Sequence, residues 1–209
     1  MLDKFSKRLV ILHSRFRLWL VSFLVEENFY ASSYDNVGSW TNPDNILGGH
    51  DDSCASKSTN VAGDYDLILF FDINLPSNAQ LEELYHGFHA IKGDYLAGVV
   101  FDLQNRFKVG ANTSVLSAVL YSGLIPGCDN CGDKESSNLL DFMNVTVNDL
   151  NNGNFDYRVR LDLNEDKAVI GLVDFVWLRV VYTVPTVKKK FVKVYQPVGW
   201  WKGKTIVVL

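Results

Sequence analysis

Acidic and amide side chains gather at Asn42, Asp44, Asn45, Asp51 and Asp52. A hard cation such as Ca²⁺ takes about six to eight oxygens, and a loop of this composition can offer carboxylates, amides and carbonyls. The spacing is not that of an Asp-x-Asp-x-Asp-Gly loop. Asn and Asp also form turns by hydrogen-bonding their own backbone, so the same residues have a purely structural use. Four histidines, His13, His50, His86 and His89, are the other ligand or base candidates. His86 and His89 are three apart, which is ligand spacing on a helix but sends them to opposite faces of a strand. Cys128 and Cys131 form one Cys-x-x-Cys, and Cys54 stands alone. No second pair stands at zinc-site spacing, and no helix signal adjoins the motif as thioredoxin-like chemistry requires. A local disulfide between Cys128 and Cys131, or two idle thiols, remain as readings.

Other catalytic signatures are missing. The chain has no Gly-x-Ser-x-Gly, no Gly-x-Gly-x-x-Gly and no Walker lysine loop. Carboxylates are plentiful, but a glycosidase needs two facing each other across a cleft, which spacing alone does not give. The expectation is a chain that is not an enzyme. Asn112-Thr113-Ser114 and Asn144-Val145-Thr146 fit the glycosylation sequon.

The elements that must position these groups read as strands. Leu67, Leu69, Phe71, Ile73 and Leu75 alternate toward one face and stop at Pro76. Phe155, Tyr157, Val159, Leu161 and Leu163 form a second row, with Asp156, Arg158, Arg160 and Asp162 turned to water between them. Val176, Leu178, Val180 and Tyr182 form a third, preceded on the same face by Asp174. Weaker strands are expected near 81–91, 95–103, 114–121, 191–195 and 205–209. Turn formers separate them at Asn42-Pro43-Asp44-Asn45, Pro76-Ser77-Asn78 and Asn151-Asn152-Gly153. Strands and turns without long amphipathic helices between them predict an all-β sandwich rather than an α/β fold.

Composition agrees. Hydrophobic residues are 47% and charged residues 21%, which excludes wholesale disorder. The net charge of −4 conceals an uneven distribution. Residues 1–17 carry five basic side chains and one acid, and residues 184–209 carry six lysines and no acid. An acidic body between basic ends can attract copies of itself or present its ends to a polyanion. Solvated lysines also keep edge strands from aggregating. Residues 18–25 are apolar after basic residues, but Glu26-Glu27 follows where a signal peptide has small residues. No uncharged apolar run is long enough for a spanning helix.

Several segments resemble a jelly-roll module found in tail-fibre and capsid-surface proteins of phages and archaeal viruses and in secreted prokaryotic surface proteins. They are Tyr30 with Val37-Gly38-Ser39-Trp40-Thr41-Asn42-Pro43 through Asp51-Asp52 to Ala55, and Phe70-Phe71-Asp72-Ile73-Asn74-Leu75-Pro76-Ser77-Asn78-Ala79. The more specific ones are Val147-Asn148-Asp149-Leu150-Asn151-Asn152-Gly153-Asn154-Phe155 and Val173-Asp174-Phe175-Val176 with Val180-Val181-Tyr182-Thr183. The resemblance covers about 28–183. It departs at an insertion over 92–112 and at Leu140-Asp141-Phe142, where the module has Trp-Gly. It implies a jelly-roll β-sandwich over 28–183, a basic, apolar arm over 1–27 and a basic strand extension over 184–209.

The resemblance carries no catalytic residues. In related carbohydrate-binding jelly rolls a structural calcium bridges an early loop and the closing strand, which would use Asn42, Asp44, Asp51, Asp52 and Asp174; otherwise no cofactor is expected. Sugar-binding jelly rolls stack pyranose rings on flat aromatic faces, for which Trp40, Tyr85, Tyr95 and Trp177 are the candidates. The leading expectation is a structural subunit of a virion capsid, spike or tail, partnering itself and other structural proteins. Assembly would use Trp19, Phe23, Lys188, Lys189, Lys190, Trp200 and Trp201, since strands outside the core can pair with another chain. An extracellular filament subunit and a glycan-binding surface module are the alternatives. Nucleic acid is not an expected partner, because the body, residues 18–183, is strongly acidic at nine basic against 23 acidic residues.

Overall fold

The computed structural model describes residues 7–12, 20–49, 51, 53–92, 99–122 and 132–185. Two-residue periodicity dominates them. Leu67, Leu69, Phe71, Ile73 and Leu75 are buried, as are Tyr157, Val159, Leu161 and Leu163. Burying each such row removes apolar surface from water, worth roughly 25 cal/mol per Å². A strand does this efficiently because its side chains alternate between faces.

The strands are β1 (Lys7–Leu12), β2 (Leu20–Asp35), β3 (Ala55–Thr59), β4 (Gly63–Phe71), β5 (Gln80–Lys92), β6 (Val99–Val109), β7 (Asn112–Ser122), β8 (Gly132–Glu135), β9 (Asp156–Leu163) and β10 (Val169–Pro185). They form one antiparallel sheet in the order β7-β6-β9-β4-β2-β10-β5-β8, with β1 added to β2 and β3 to β10. A one-turn helix, α1 (Val147–Asn151), is held by a capping box in which Thr146 and Asp149 satisfy each other's backbone N–H.

β2 makes the sheet fold over. Its residues 22–30 pair with β10, and its residues 31–35 pair with β4 after an irregularity between Ala31 and Ser33. A bulge bends a strand and increases its twist. The path therefore turns and lays β5 and β10 over β6 and β9. Gly171 on β10 marks how close they come: a Cβ there would stand 2.8 Å from both Leu103 and Leu161. The two ends of the path, β7 and β8, approach each other, so the sheet is nearly closed around one core.

Three features of the organisation bear on the expected one. The boundary placed between residues 27 and 28 falls inside β2, whose residues 22–27 are hydrogen-bonded to β10 and belong to the sheet. The strand expected near 95–103 is β6, which starts later, runs on to Val109, pairs with both β7 and β9 and turns at Gly110 with φ 57°. Third, β10 is not one uninterrupted alternation. Val169, Gly171 and Val173 point inward at odd positions, whereas Val176, Leu178 and Val180 do so at even ones. The register against β5 shifts between Val173 and Val176. Asp174 sits fully buried in that bulge, and Phe175, Trp177 and Arg179 are thereby turned to the outer face. The expected strands at 191–195 and 205–209 lie outside the described residues.

Candidate functional site

The outer face of β10, β5 and β8 carries an aromatic row. Trp177, Gly87 and Glu135 are directly opposite one another on the three strands. A Cβ at Gly87 would come within 2.3 Å of the Trp177 indole, so that ring lies across β5 over the one residue that leaves room for it. Its Nε1 donates to Glu135 Oε1 at 3.3 Å. Arg179 stacks on Tyr85 at 3.9 Å and donates to both Glu135 oxygens at 2.9 and 2.7 Å. Hydrogen bonds from Arg179 hold the Glu135 carboxyl below its ordinary range, against the opposing effect of burial. Phe175 packs 5.2 Å from Trp177 and stacks on His89 at 5.5 Å, and His89 bonds Asp133 at 2.7 Å. Flat rings flanked by fixed charges can stack an apolar ring face while presenting hydrogen-bonding groups at its rim.

A second constellation lies between the layers. His86 on β5 is fully buried, with Asn105 on β6, Ser114 on β7 and Tyr157 on β9 around it. Asn105 Nδ2 donates to the Tyr157 hydroxyl at 2.8 Å, so Asn105 Oδ1 is the acceptor facing His86. His86 Nδ1 therefore carries the proton, and Nε2 accepts from the Ser114 hydroxyl at 2.9 Å. Tyr157 donates onward to the Gly87 carbonyl at 2.8 Å. Burial pushes the His86 pKa down to about 4, against the pull of Asn105 and Glu135. The connectivity Ser–His–Asn is that of a nucleophile, base and orienting group. Here it joins β5 to β6, β7 and β9 and acts as an inter-layer clamp.

The expected site residues are distributed unevenly over these features. Tyr85 and Trp177 are brought together on the outer face. Trp40 is not with them: it is 3% exposed, packs in the core and donates its indole N–H to the Tyr65 carbonyl at 3.3 Å, which corrects its assignment as a stacking platform. Tyr95 and Asp52 lie outside the described residues. The other loop residues are used in turns. Asn42 has φ 50° and accepts from the Asn45 N–H through its carbonyl, the Asp44 carbonyl accepts from Leu47, and Asp51 Oδ1 accepts from the Ser53 N–H at 2.9 Å. Among the described residues no group of three His, Cys, Asp or Glu side chains is placed to hold a metal ion.

Of the assembly candidates only Phe23 is described; it is exposed on β2 opposite Val184. Trp19, Lys188, Lys189, Lys190, Trp200, Trp201, Cys128 and Cys131 lie outside the described residues. Asn105 was missed. Its signal is a polar residue in an inward row of Phe101, Leu103 and Phe107.

No helix among the described residues is long and apolar enough to cross a membrane. Compared with family models and with curated proteins, the sequence matches none.

Proposed function

We propose that the chain is a structural subunit of a surface assembly such as a virion, built as a jelly-roll sandwich and associating through its basic, apolar ends. The observation that carries this reading is strand order. Taken in chain order, β2, β4, β5, β6, β7, β8, β9 and β10 are eight strands. One half of the path holds the first, eighth, third and sixth, and the other the second, seventh, fourth and fifth. That is the interleaving of two Greek keys, an architecture used by viral capsid and lectin domains. The charge distribution adds support, because an acidic body with two basic ends is complementary to copies of itself. The reading assigns the chain no catalytic step.

The test is the assembly state of the full chain by light scattering and negative-stain microscopy, beside a version shortened to residues 20–185. That cut keeps β2 whole. Defined oligomers or filaments from the full chain, a folded monomer from the short one, and loss of assembly on changing Lys188, Lys189 and Lys190 to Glu are expected. A full chain that stays a monodisperse monomer at high concentration and low salt overturns the reading.

A second reading, a glycan-binding surface module, is favoured by one placement: Tyr85 and Trp177 share one outer face, linked through Arg179 and Glu135. It predicts polysaccharide retention by the isolated monomer.

A further inference from the structure

The sheet ends in unequal strands. β8 is four residues long with three of them charged, β3 has Lys57 among its five, and β1 opens on Lys7 and Arg8. Short length and charge keep an edge from pairing with other chains. β7 has neither protection. Its eleven residues, Asn112–Ser122, include no charged residue and no proline. Among the described residues only β6 pairs with it.

The free edge presents a defined set of donors and acceptors. β6 and β7 join through the two-residue turn Gly110-Ala111, and the pair flanking such a turn, here Val109 and Asn112, exchanges both backbone hydrogen bonds. The register runs unbroken from there. Even-numbered residues of β7 therefore bond β6, while Thr113, Val115, Ser117, Val119 and Tyr121 turn their N–H and C=O groups to the open side. Leu116 packs on the core but is only partly buried, and Val115 is exposed. The row Asp64, Asp162 and Asp102 crosses β4, β9 and β6 and meets this edge at Val119. Among the described residues Asp162 and Asp102 have no ion-pair partner; Gln104 and Ser117, both neutral, donate to them.

We propose that β7 is the acceptor edge for residues 191–195 of a second copy, which add to it as a further strand. This rests on the assembly reading and names where one end lands. In Phe191-Val192-Lys193-Val194-Tyr195, alternation puts Val192 and Val194 on one face of a strand and Lys193 on the other. Added to β7, the valines extend the cover over Leu116, and Lys193 faces the acidic row. The amino-terminal strand is not the donor, because β1 is already paired with β2. The 24 residues after Pro185 span about 80 Å when extended, enough to reach a neighbour. β10 also carries the chain away from its own β7. Leu178 pairs with His86, whose ring reaches Ser114, and Pro185 lies seven residues, about 23 Å, further on.

The experiment places the photocrosslinker p-benzoylphenylalanine at Phe191 of the full chain, mixes isotope-labelled and unlabelled copies, and maps crosslinks by mass spectrometry. Crosslinks from 191 to the segment 113–121 that join a labelled copy to an unlabelled one are expected. Val115→Pro removes an edge N–H that β6 does not use, at a kind of position where proline is tolerated. It should lower the crosslinks about tenfold, with circular dichroism checking that the variant folds. Lys193→Glu, which leaves the sheet untouched, should lower them by a similar factor, and Lys193→Arg should not. In a chain that still assembles, crosslinks that land elsewhere or stay within one copy, or yields that neither variant lowers, overturn the proposal and leave the assembly reading standing. A full chain that stays monomeric removes both.

Discussion

The clamp between the layers and the lattice on the outer face of β4, β9 and β6 are built from similar groups and face opposite environments. In the lattice, Asp66 accepts from Arg160 at 2.6 and 2.9 Å and from Arg158 at 2.9 Å, while Arg160 also reaches Asp64. In the clamp, His86, Asn105, Ser114 and Tyr157 exchange hydrogen bonds of comparable length. The lattice carries many charges and the clamp none at neutral pH. Water can replace a lost lattice partner, but nothing replaces a lost clamp partner. Removing one member of a buried network leaves the rest desolvated and unsatisfied, so hydrogen-bond length tells little about stake, and burial tells most.

The sharpest way to break this comparison is Asn105→Leu. The substitution strands the Nδ1–H of His86 and removes the donor to Tyr157. Two buried groups at roughly 1–3 kcal/mol each give a loss of about 3–4 kcal/mol. Urea unfolding measures it, and a loss under about 1 kcal/mol would mean that the clamp is wetter than its burial implies.

Proton uptake probes the same contrast without a change of shape. The folded pKa of His86 is lowered from 6.5 to about 4, chiefly by burial. The unfolded chain therefore binds a proton that the folded one refuses, and stability falls as pH drops through that window. The slope is about 1.4 kcal/mol per pH unit, for a total of about 3 kcal/mol by pH 4. His86→Gln should flatten the wild-type slope between pH 6.5 and 4. Parallel slopes in the two proteins would assign the acid sensitivity elsewhere.

The lattice was half legible in the sequence and the clamp was not, for a physical reason. Asp156, Arg158, Arg160 and Asp162 alternate with an apolar row, so their outward direction followed from strand periodicity alone. Their partners Asp64 and Asp66 lie some ninety residues away, and only the β4–β9 register brings them opposite. The clamp needs β5, β6, β7 and β9 together, and the strand expected near 95–103 stopped short of Asn105, which β6 carries. The bulge at Asp174 was hidden for a similar reason: a one-residue slip flips every later side chain, and no local residue type announces it. Phe175, Trp177 and Arg179 owe their outer position to it.

Asp66→Asn tests the lattice. Burial raises the pKa of this carboxyl, but hydrogen bonds from Arg160 and Arg158 outweigh it and hold the group below its ordinary value. A lowered folded pKa adds stability above the unfolded value of 3.8 and loses it as pH falls through the folded one. The acid response of the lattice therefore begins where that of the clamp is ending. Since the arginines are partly exposed, the substitution should cost about 1 kcal/mol, and less in high salt. A loss matching that of Asn105→Leu would erase the distinction between the two networks.

The smallest effect has the opposite sign. Asp102, Asp162 and Asp64 lie side by side across β6, β9 and β4. Like charges directly opposite one another on a sheet repel. Burial first, then Asp64 and Asp102, push the Asp162 carboxyl above its ordinary value. The folded state thus favours the neutral form, and at pH 7 the ionised group is a liability. Asp162→Asn removes the charge and keeps an oxygen to accept from Gln104, which now reaches Asp162 at 3.3 Å. Because the group is largely solvated, the expected gain is only a few tenths of a kcal/mol, about the size of one exposed pair. It should shrink as salt screens the row and vanish in acid, once Asp162 itself is protonated. A measurable destabilisation at neutral pH would mean that the three carboxylates share a bound proton or cation, and that the outer face holds its charges as tightly as the clamp holds its hydrogen bonds.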